Sequence, residues 1–406
     1  MSFPSSYRSS NTSQAPRNAP PGLRATANSP RASSDSFRSV NMAGLFGNAS
    51  AASSANPTQG DLSKDVPLAN PPEDSISDMS FSPQSDHLAV ASWDKKVRIY
   101  EIDASGQSQG KAMFEHEGPV LSCCWSKDGQ KVFGAGADKA ARMLDLGAGG
   151  TTAQQVAAHD EPIKCVESIF VNGQHMLVTG SWDKTVKYWD LRQQSAVASI
   201  TCQDRVYSMD VRHNATTNNT DLLVVATAER WINVVDLKNP GTFFKSIQSP
   251  LKWQTRTVRT FNDASGYAIG SIEGRCAIQY IPEDKQTNNF SFKCHRVTSP
   301  TDRNTSNVFS VNAISFHPVH GTFSTAGADG TFHFWDKDAK HRLKGYPDVG
   351  GSITATDFSR TGNIFAYAVS YDWSKGHQSN RADYPNKIML HPVQGDECKP
   401  REKGKR

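Results

Sequence analysis

The side chains best equipped for chemistry in this chain of 406 residues lie close together: His159, Ser181, Asp183 and Trp189. A Ser, His and Asp can form an activated nucleophile, in which the carboxylate orients the imidazole and the imidazole takes the serine proton. The local pattern argues against it. Ser181 and Asp183 stand two apart on one strand end, and no Gly-x-Ser-x-Gly turn lifts the serine. The same four side chains suit a buried network tying turn, strand and loop, each polar group so satisfied avoiding a cost of about 1–3 kcal/mol. The expected role of His159, Ser181, Asp183 and Trp189 is therefore structural. Gly134-Ala-Gly136 lacks the following helix and third glycine of a dinucleotide loop, and no phosphate loop, metal-ligand cluster or catalytic carboxylate pair is visible. A non-enzymatic protein without cofactor or metal is expected.

A second constellation lies between residues 275 and 344. It holds Arg275, Phe292, Lys293, His295, Arg296, Trp335, Asp336, Lys337, Lys340, His341, Arg342 and Lys344. Basic residues interleaved with aromatics bind single-stranded nucleic acid or an acidic peptide; the plain alternative is a solvated rim.

These residues belong to a repeat. Val178-Thr-Gly-Ser-Trp-Asp183-Lys-Thr-Val-Lys-Tyr-Trp189-Asp190 reads as strand, tight turn, strand. Related phrases begin at Ala91, Ala135 and Ala326, and in all four the second large residue lies six positions after the turn Asp. The acidic turn residues Asp94, Asp138, Asp183, Glu229, Glu273, Asp329 and Asp372 are spaced by 44, 45, 46, 44, 56 and 43. A period near 40–45 with a strand closed by Trp-Asp is the signature of WD40 propeller blades. One four-stranded sheet cannot bury both faces alone, whereas sheets stacked radially cover one another. The expected fold is all-β, a seven-bladed WD40 β-propeller with a disordered N-terminal extension.

Blade one shows Ser92 and Asp94 but Tyr100, and blades two and six have Gly136 and Gly327 where blade three has Ser181. The network is thus expected complete in blade three alone. With Gly327 at that position, Trp335 is expected to lose its hydroxyl partner and to turn its indole to an outside ligand.

The domain reading is a low-complexity tail over 1–62, the propeller over 63–396 and a basic tail over 397–406. Residues 1–60 are rich in Ser, Ala, Asn and Pro, too polar to offset their ordering entropy, with Gly44-Leu45-Phe46-Gly47 matching a cohesive FG repeat. Asp65-Val-Pro-Leu68 is expected to supply the outer strand of blade seven and close the ring. His295 to Asn307 reads as a polar insertion, and Asp372 to Asn386 as a long loop before the last strand. Formal net charge is +4, with about +4 on residues 1–60 and again on 399–406, leaving a mildly acidic body. Mean hydropathy of −0.55 and no apolar run approaching 18 residues predict no membrane span. Seven scattered cysteines read as reduced intracellular thiols.

Certain phrases go further. Asn70-Pro-Pro-Glu-Asp-Ser-Ile-Ser-Asp, Asn289-Phe-Ser-Phe-Lys-Cys-His295-Arg, Phe316-His-Pro-Val-His-Gly, Phe334-Trp-Asp-Lys-Asp-Ala and Gly362-Asn-Ile-Phe-Ala-Tyr-Ala-Val-Ser-Tyr-Asp-Trp-Ser-Lys-Gly-His377 resemble the nuclear-pore WD40 factors for poly(A) RNA export. The resemblance covers about residues 64 to 402. It implies a scaffold that captures the GLEBS hairpin of an FG nucleoporin across one face, and a link to mRNA export. It also implies location at the nuclear pore complex of the nuclear envelope, with shuttling to the cytoplasm. Further partners it implies are single-stranded RNA or mRNP proteins and, in some relatives, spindle or checkpoint proteins. The family's aromatic and basic pocket, which viral proteins that block export also use, would correspond to Phe292, Lys293, Trp335, Asp336, Lys340 and Arg342, with Arg275 beside them. This chain departs from the pattern where Lys340 and Arg342 flank His341, and in the loop Gln378 to Pro385. Alternatives are a spindle-checkpoint propeller binding checkpoint kinases and a ubiquitin-ligase substrate receptor.

Overall fold

The computed structural model describes residues 58–401 other than 104, 172, 214–219, 300 and 303. The expected tail and its Gly44-Leu45-Phe46-Gly47 lie outside the described residues.

Seven four-stranded antiparallel sheets follow in chain order. Blade one comprises Ile76–Phe81, His87–Ser92, Lys96–Ile102 and Ser108–Glu115, counted from the axis outward. Blade three comprises Ile163–Val171, Gln174–Ser181, Thr185–Asp190 and Ala196–Thr201; blade five, Thr255–Thr260, Gly266–Ser271, Arg275–Tyr280 and Phe290–Lys293. Blade six comprises Val311–Phe316, Phe323–Gly327, Phe332–Asp336 and His341–Gly345. The inner strands carry apolar side chains on both faces because both are covered; in blade two all of Val120–Trp125 is buried. Seven apolar clusters result, one at each interface between neighbouring blades.

The ring closes as expected. Ile353–Phe358, Ile364–Val369 and Lys387–Pro392 form three strands of blade seven, and Val66–Pro67 adds the fourth, with Val66 opposite Leu390. Behind this seam sits an ionic clasp. Asp65 accepts a 2.6 Å hydrogen bond from the Tyr367 hydroxyl and lies 2.6 Å from His391 Nδ1, while His391 Nε2 lies 3.2 Å from Glu397.

Around the channel, inner-strand carboxylates staple blade one to two, four to five and seven to one. Asp78 accepts from Ser122 Oγ and the Cys123 amide, Asp210 from the Thr260 amide, and Asp357 from the Phe81 amide. Arg259 reaches Asp210 at 3.2 Å and Glu167 at 4.0 Å. Burial, with Asp210 nearby, pushes the Glu167 carboxyl far up, and burial raises Asp357 to about 6.

Three features go beyond the sequence reading. The insertion after blade five is a β-hairpin, Arg296–Thr298 with Ser306–Val308. The expected boundaries at 62/63 and 396/397 fall within segments held on blade six. Gln59 makes a parallel bridge to Gly345, Leu62 packs on the core between blades six and seven, and the Cys398 carbonyl accepts from Thr322 Oγ1. Lastly, every inner strand is bulged near its start, as between Ile163 and Cys165 or Val311 and Ala313.

Candidate functional site

Blade three first shows what the four polar residues do. His159 Nδ1 lies 2.7 Å from Asp183 Oδ2, and His159 Nε2 lies 2.7 Å from Thr179 Oγ1, which accepts the Trp189 indole N–H at 2.8 Å. Ser181 Oγ donates to the carbonyls of Glu161 and Pro162 and accepts the Asp183 amide. Burial lowers the pKa of His159 despite Asp183 beside it. Burial works to raise the Asp183 carboxyl, but hydrogen bonds from Thr185 and His159 outweigh it and hold the carboxyl below its usual value. A neutral imidazole locked on both nitrogens has no free lone pair for a base's work.

The hydroxyl partner of the tryptophan is thus a threonine on the strand, and Ser181 serves the connector instead. Two expectations are corrected by this. Blade six carries the same chain of bonds, Asp329 to His295 at 2.9 Å, His295 to Thr325 at 3.0 Å and Trp335 Nε1 to Thr325 Oγ1 at 2.9 Å, so the network is not confined to blade three. The Trp335 N–H is satisfied within the blade, and Gly327 deprives it of nothing. His295, grouped with the basic residues in the sequence, is buried in this network. In blade two His116 meets Asp138 at 3.0 Å, but Gly134 replaces the threonine and His116 Nε2 is left without a partner.

What Trp335 does offer is its ring. The Phe292 centroid lies 4.5 Å from it, Phe290 stacks on Phe292 at 6.0 Å, and Lys340 Nζ sits 5.0 Å over Phe290. The three rings, each half-buried, line a slot between the outer strand of blade five and the face of blade six. Arg342 is the cross-strand partner of Trp335 and lies at the slot's edge. Arg275 and Lys293 pair with each other one position along from Cys276 and Phe292, so the pleat turns them to the other face of blade five. Asp336 is buried, accepts the amides of Asp338 and Ala339, and receives the Arg401 amide. The structure therefore joins Phe292, Trp335, Lys340 and Arg342 with Phe290, and sets Arg275, Lys293 and Asp336 apart.

A larger surface escaped the sequence reading. The turns between second and third strands and the connectors between blades share one mouth of the ring. Of the nine large apolar residues that are exposed among the described residues, Trp182, Trp253, Ile272, Val297 and Val308 stand there. Trp93 and Trp373 stack with centroids 4.1 Å apart. They join Trp182, Tyr207, Lys164 and Arg256 around a cavity of about 340 Å³. Thr255 Oγ1, Asn312 Oδ1, Thr354 Oγ1 and Trp373 Nε1 in its wall have no hydrogen-bond partner in the protein. Buried polar atoms of that kind are uncommon and mark a place where something else completes the bonding. The signal was present in the sequence: two turn tips carry Trp, at 93 and 182, where blades two and six carry Ala137 and Ala328. Among the described residues no group of three or more His, Cys, Asp or Glu could hold a metal ion, and no helix is long and apolar enough to cross a membrane.

The fold and its turn network define a WD40 repeat propeller, and the WD domain, G-beta repeat family matches at residues 68–101, 108–145, 150–190 and 290–336. The chain is 63% identical over 364 residues to the mRNA export factor GLE2 of Chaetomium thermophilum, covering 89% of this chain and 98% of that protein. It is 57% identical to the Poly(A)+ RNA export protein of Schizosaccharomyces pombe, covering 88% and 99%, and 44% identical to Protein RAE1 of Arabidopsis thaliana, covering 81% and 90%. The protein belongs to this family of WD40 mRNA export factors.

Proposed function

We propose that the protein is a non-enzymatic adaptor of the nuclear pore complex, acting in export of mRNA from nucleus to cytoplasm by holding the GLEBS hairpin of an FG nucleoporin. The mouth of the ring carries this reading. A strip of exposed Trp, Ile and Val beside an aromatic cavity is what an apolar hairpin face covers, and apolar surface gathered at one place marks an interaction site. Arg256, with Lys164 nearby and the unpartnered hydroxyls of Thr255 and Thr354, suits an acidic side chain entering the cavity. The slot of Phe292, Trp335, Lys340 and Arg342 is the second contact. Arg275 and Lys293, on the other face of blade five, meet single-stranded RNA or an mRNP protein.

Binding of a GLEBS peptide by calorimetry tests the first part. Trp182→Ala and Trp373→Ala should each weaken it about 10- to 100-fold, the range of a buried aromatic anchor. Undiminished affinity in both refutes the docking surface. RNA contact through phosphate should fall steeply with salt, about 0.7 in log–log slope per phosphate neutralised on a single strand. An isotherm flat between low and physiological salt removes RNA from the account.

A further inference from the structure

Every blade contributes one residue to the channel by the same device. The bulge near the start of each inner strand skips a single residue, in blade order Ser77, Leu121, Lys164, Tyr207, Arg256, Asn312 and Thr354. A bulge re-aims the extra side chain. All seven line the cavity of about 340 Å³ beneath the mouth, so the bulges build a ring there.

Two members of the ring are cations that form no ion pair among the described residues. Lys164 Nζ donates to the Leu121 carbonyl at 3.3 Å. The Arg256 guanidinium has several N–H donors, and one of them reaches the Asp372 carbonyl oxygen at 3.2 Å. Asp372 is the one acid in the wall, and its carboxylate already accepts from Ser352 and Ser374. The next arginine along the channel, Arg259, is engaged by Asp210. Uncommitted positive charge therefore lies at the ring.

The rest of the wall offers hydrogen bonds of both senses and a flat apolar face. Asn312 donates Nδ2 to the Ile353 carbonyl and keeps Oδ1 unpartnered, while the Trp373 indole N–H has no acceptor. Trp182 is exposed at the rim and stacks on no other ring among the described residues. A bare carboxylate would satisfy the cations but give no hydrogen to Asn312 and cover no ring.

We propose that this cavity, when the mouth is uncovered, is a binding site for a free nucleoside 5′-monophosphate. The phosphate monoester, with a charge of about −1.5 to −2 at neutral pH, is held by Lys164 and Arg256. The base stacks on Trp182, and a ribose hydroxyl or base amino group donates to Asn312. The volume is at the lower end of the range for small-ligand sites, about 300–1,000 Å³, and suits one nucleotide rather than a longer chain. Only the competition with the hairpin rests on the docking surface proposed above.

Calorimetry on the full chain decides it. AMP should bind with a Kd of about 0.1 mM. Adenosine, and the dinucleoside ApA with its single diester, should each bind about 10- to 100-fold more weakly, the loss expected when charge-assisted hydrogen bonds go. Lys164→Met and Arg256→Met should each weaken AMP by a similar factor. No heat from AMP at tenfold above the expected Kd, or equal affinity for AMP and adenosine, overturns the proposal. ApA binding as tightly as AMP would mark an RNA-backbone contact and overturns it too. These three ligands are compared on the unaltered chain, so the outcome holds even where a variant fails to fold. AMP at ten times its Kd should lower GLEBS peptide affinity about elevenfold by mass action. Unchanged peptide affinity beside clear AMP binding would remove the hairpin from the cavity and leave the nucleotide site standing.

Discussion

Replacing His391 with glutamine removes an imidazole enclosed between Asp65 and Glu397, with the Tyr346 hydroxyl 3.2 Å from Nε2. Burial alone would lower its pKa, but hydrogen bonds to Asp65 and Glu397 and their charges raise it from 6.5 to about 9. At about 1.4 kcal/mol per pH unit, the protonated clasp contributes about 3 kcal/mol. Its sign follows from the direction of the shift. A group whose pKa is raised by folding stabilises fully below its unfolded value of 6.5 and loses that contribution as pH rises through about 9. Glu397 works in the opposite sense. Burial favours its neutral form, yet His391 and the Gln394 amide outweigh this and hold its pKa below 4.5, so its share is lost as pH falls. Burial keeps both Tyr346 and Tyr367 protonated throughout.

The clasp spans the seam where the chain ends meet, so its loss should appear first as local opening there. Hydrogen exchange of Lys387–Pro392 at pH 6 and 9.5, corrected for intrinsic rates, reads it directly. The opening free energy of the unaltered chain should fall by about 3 kcal/mol over that interval, while His391→Gln should start lower and change little. Parallel pH profiles in the two chains would show that the histidine is not charged at pH 6, and the ionic account of closure would fail.

Three other outcomes are expected. Thr325→Val strands both the Trp335 indole and His295, so blade six should lose about 1–3 kcal/mol in urea unfolding, as Thr179→Val should in blade three. Arg259→Met leaves the channel carboxylates facing one another, costing about 3–5 kcal/mol at pH 7.5; the cost should shrink at pH 5, below the Asp357 pKa of about 6, where these groups take up protons. Trp93 of blade one and Trp373 of blade seven stack across the seam, so a hairpin seated on them should protect Lys387–Pro392 from exchange, by about 2.7 kcal/mol at a hundredfold excess over Kd. Protection confined to blades five and six would place the hairpin elsewhere.

Blade number, strand order and the closing role of Asp65-Val-Pro-Leu68 were legible because each blade repeats the same alternation and the same acidic turn. The network was legible as a role but not in its partners. Thr179 and Thr325 are unremarkable β-branched strand residues, and only the pleat shows that they face the indole while Ser181 faces the connector. The slot was half legible. Phe292 and Trp335 meet because both point into one blade interface, whereas Lys293, adjacent in sequence to Phe292, must point the other way. Spacing along the chain groups these residues, and the two-residue period of a strand divides them. The mouth was missed because it draws scattered residues from six blades and a hairpin, with no local phrase to mark it.

The division of labour among these residues explains why docking features sit where they do. Asp94, Asp183, Asp329 and Asp372 each accept an amide two residues on, closing the turn from within. The residue at the turn tip then does nothing for the blade: Trp93, Ala137, Trp182 and Ala328 occupy equivalent places in near-identical turns. A large aromatic there adds nothing to its own turn: Trp182 is left exposed, and Trp93 finds only the Trp373 ring across the seam. Its presence at two tips, and again beside Asp372 where Trp373 holds a positive φ of 59°, is unfavourable for the isolated ring. The strain and exposure make physical sense where another chain covers those rings, which is why the mouth rather than the basic rim is the centre of the proposed docking surface.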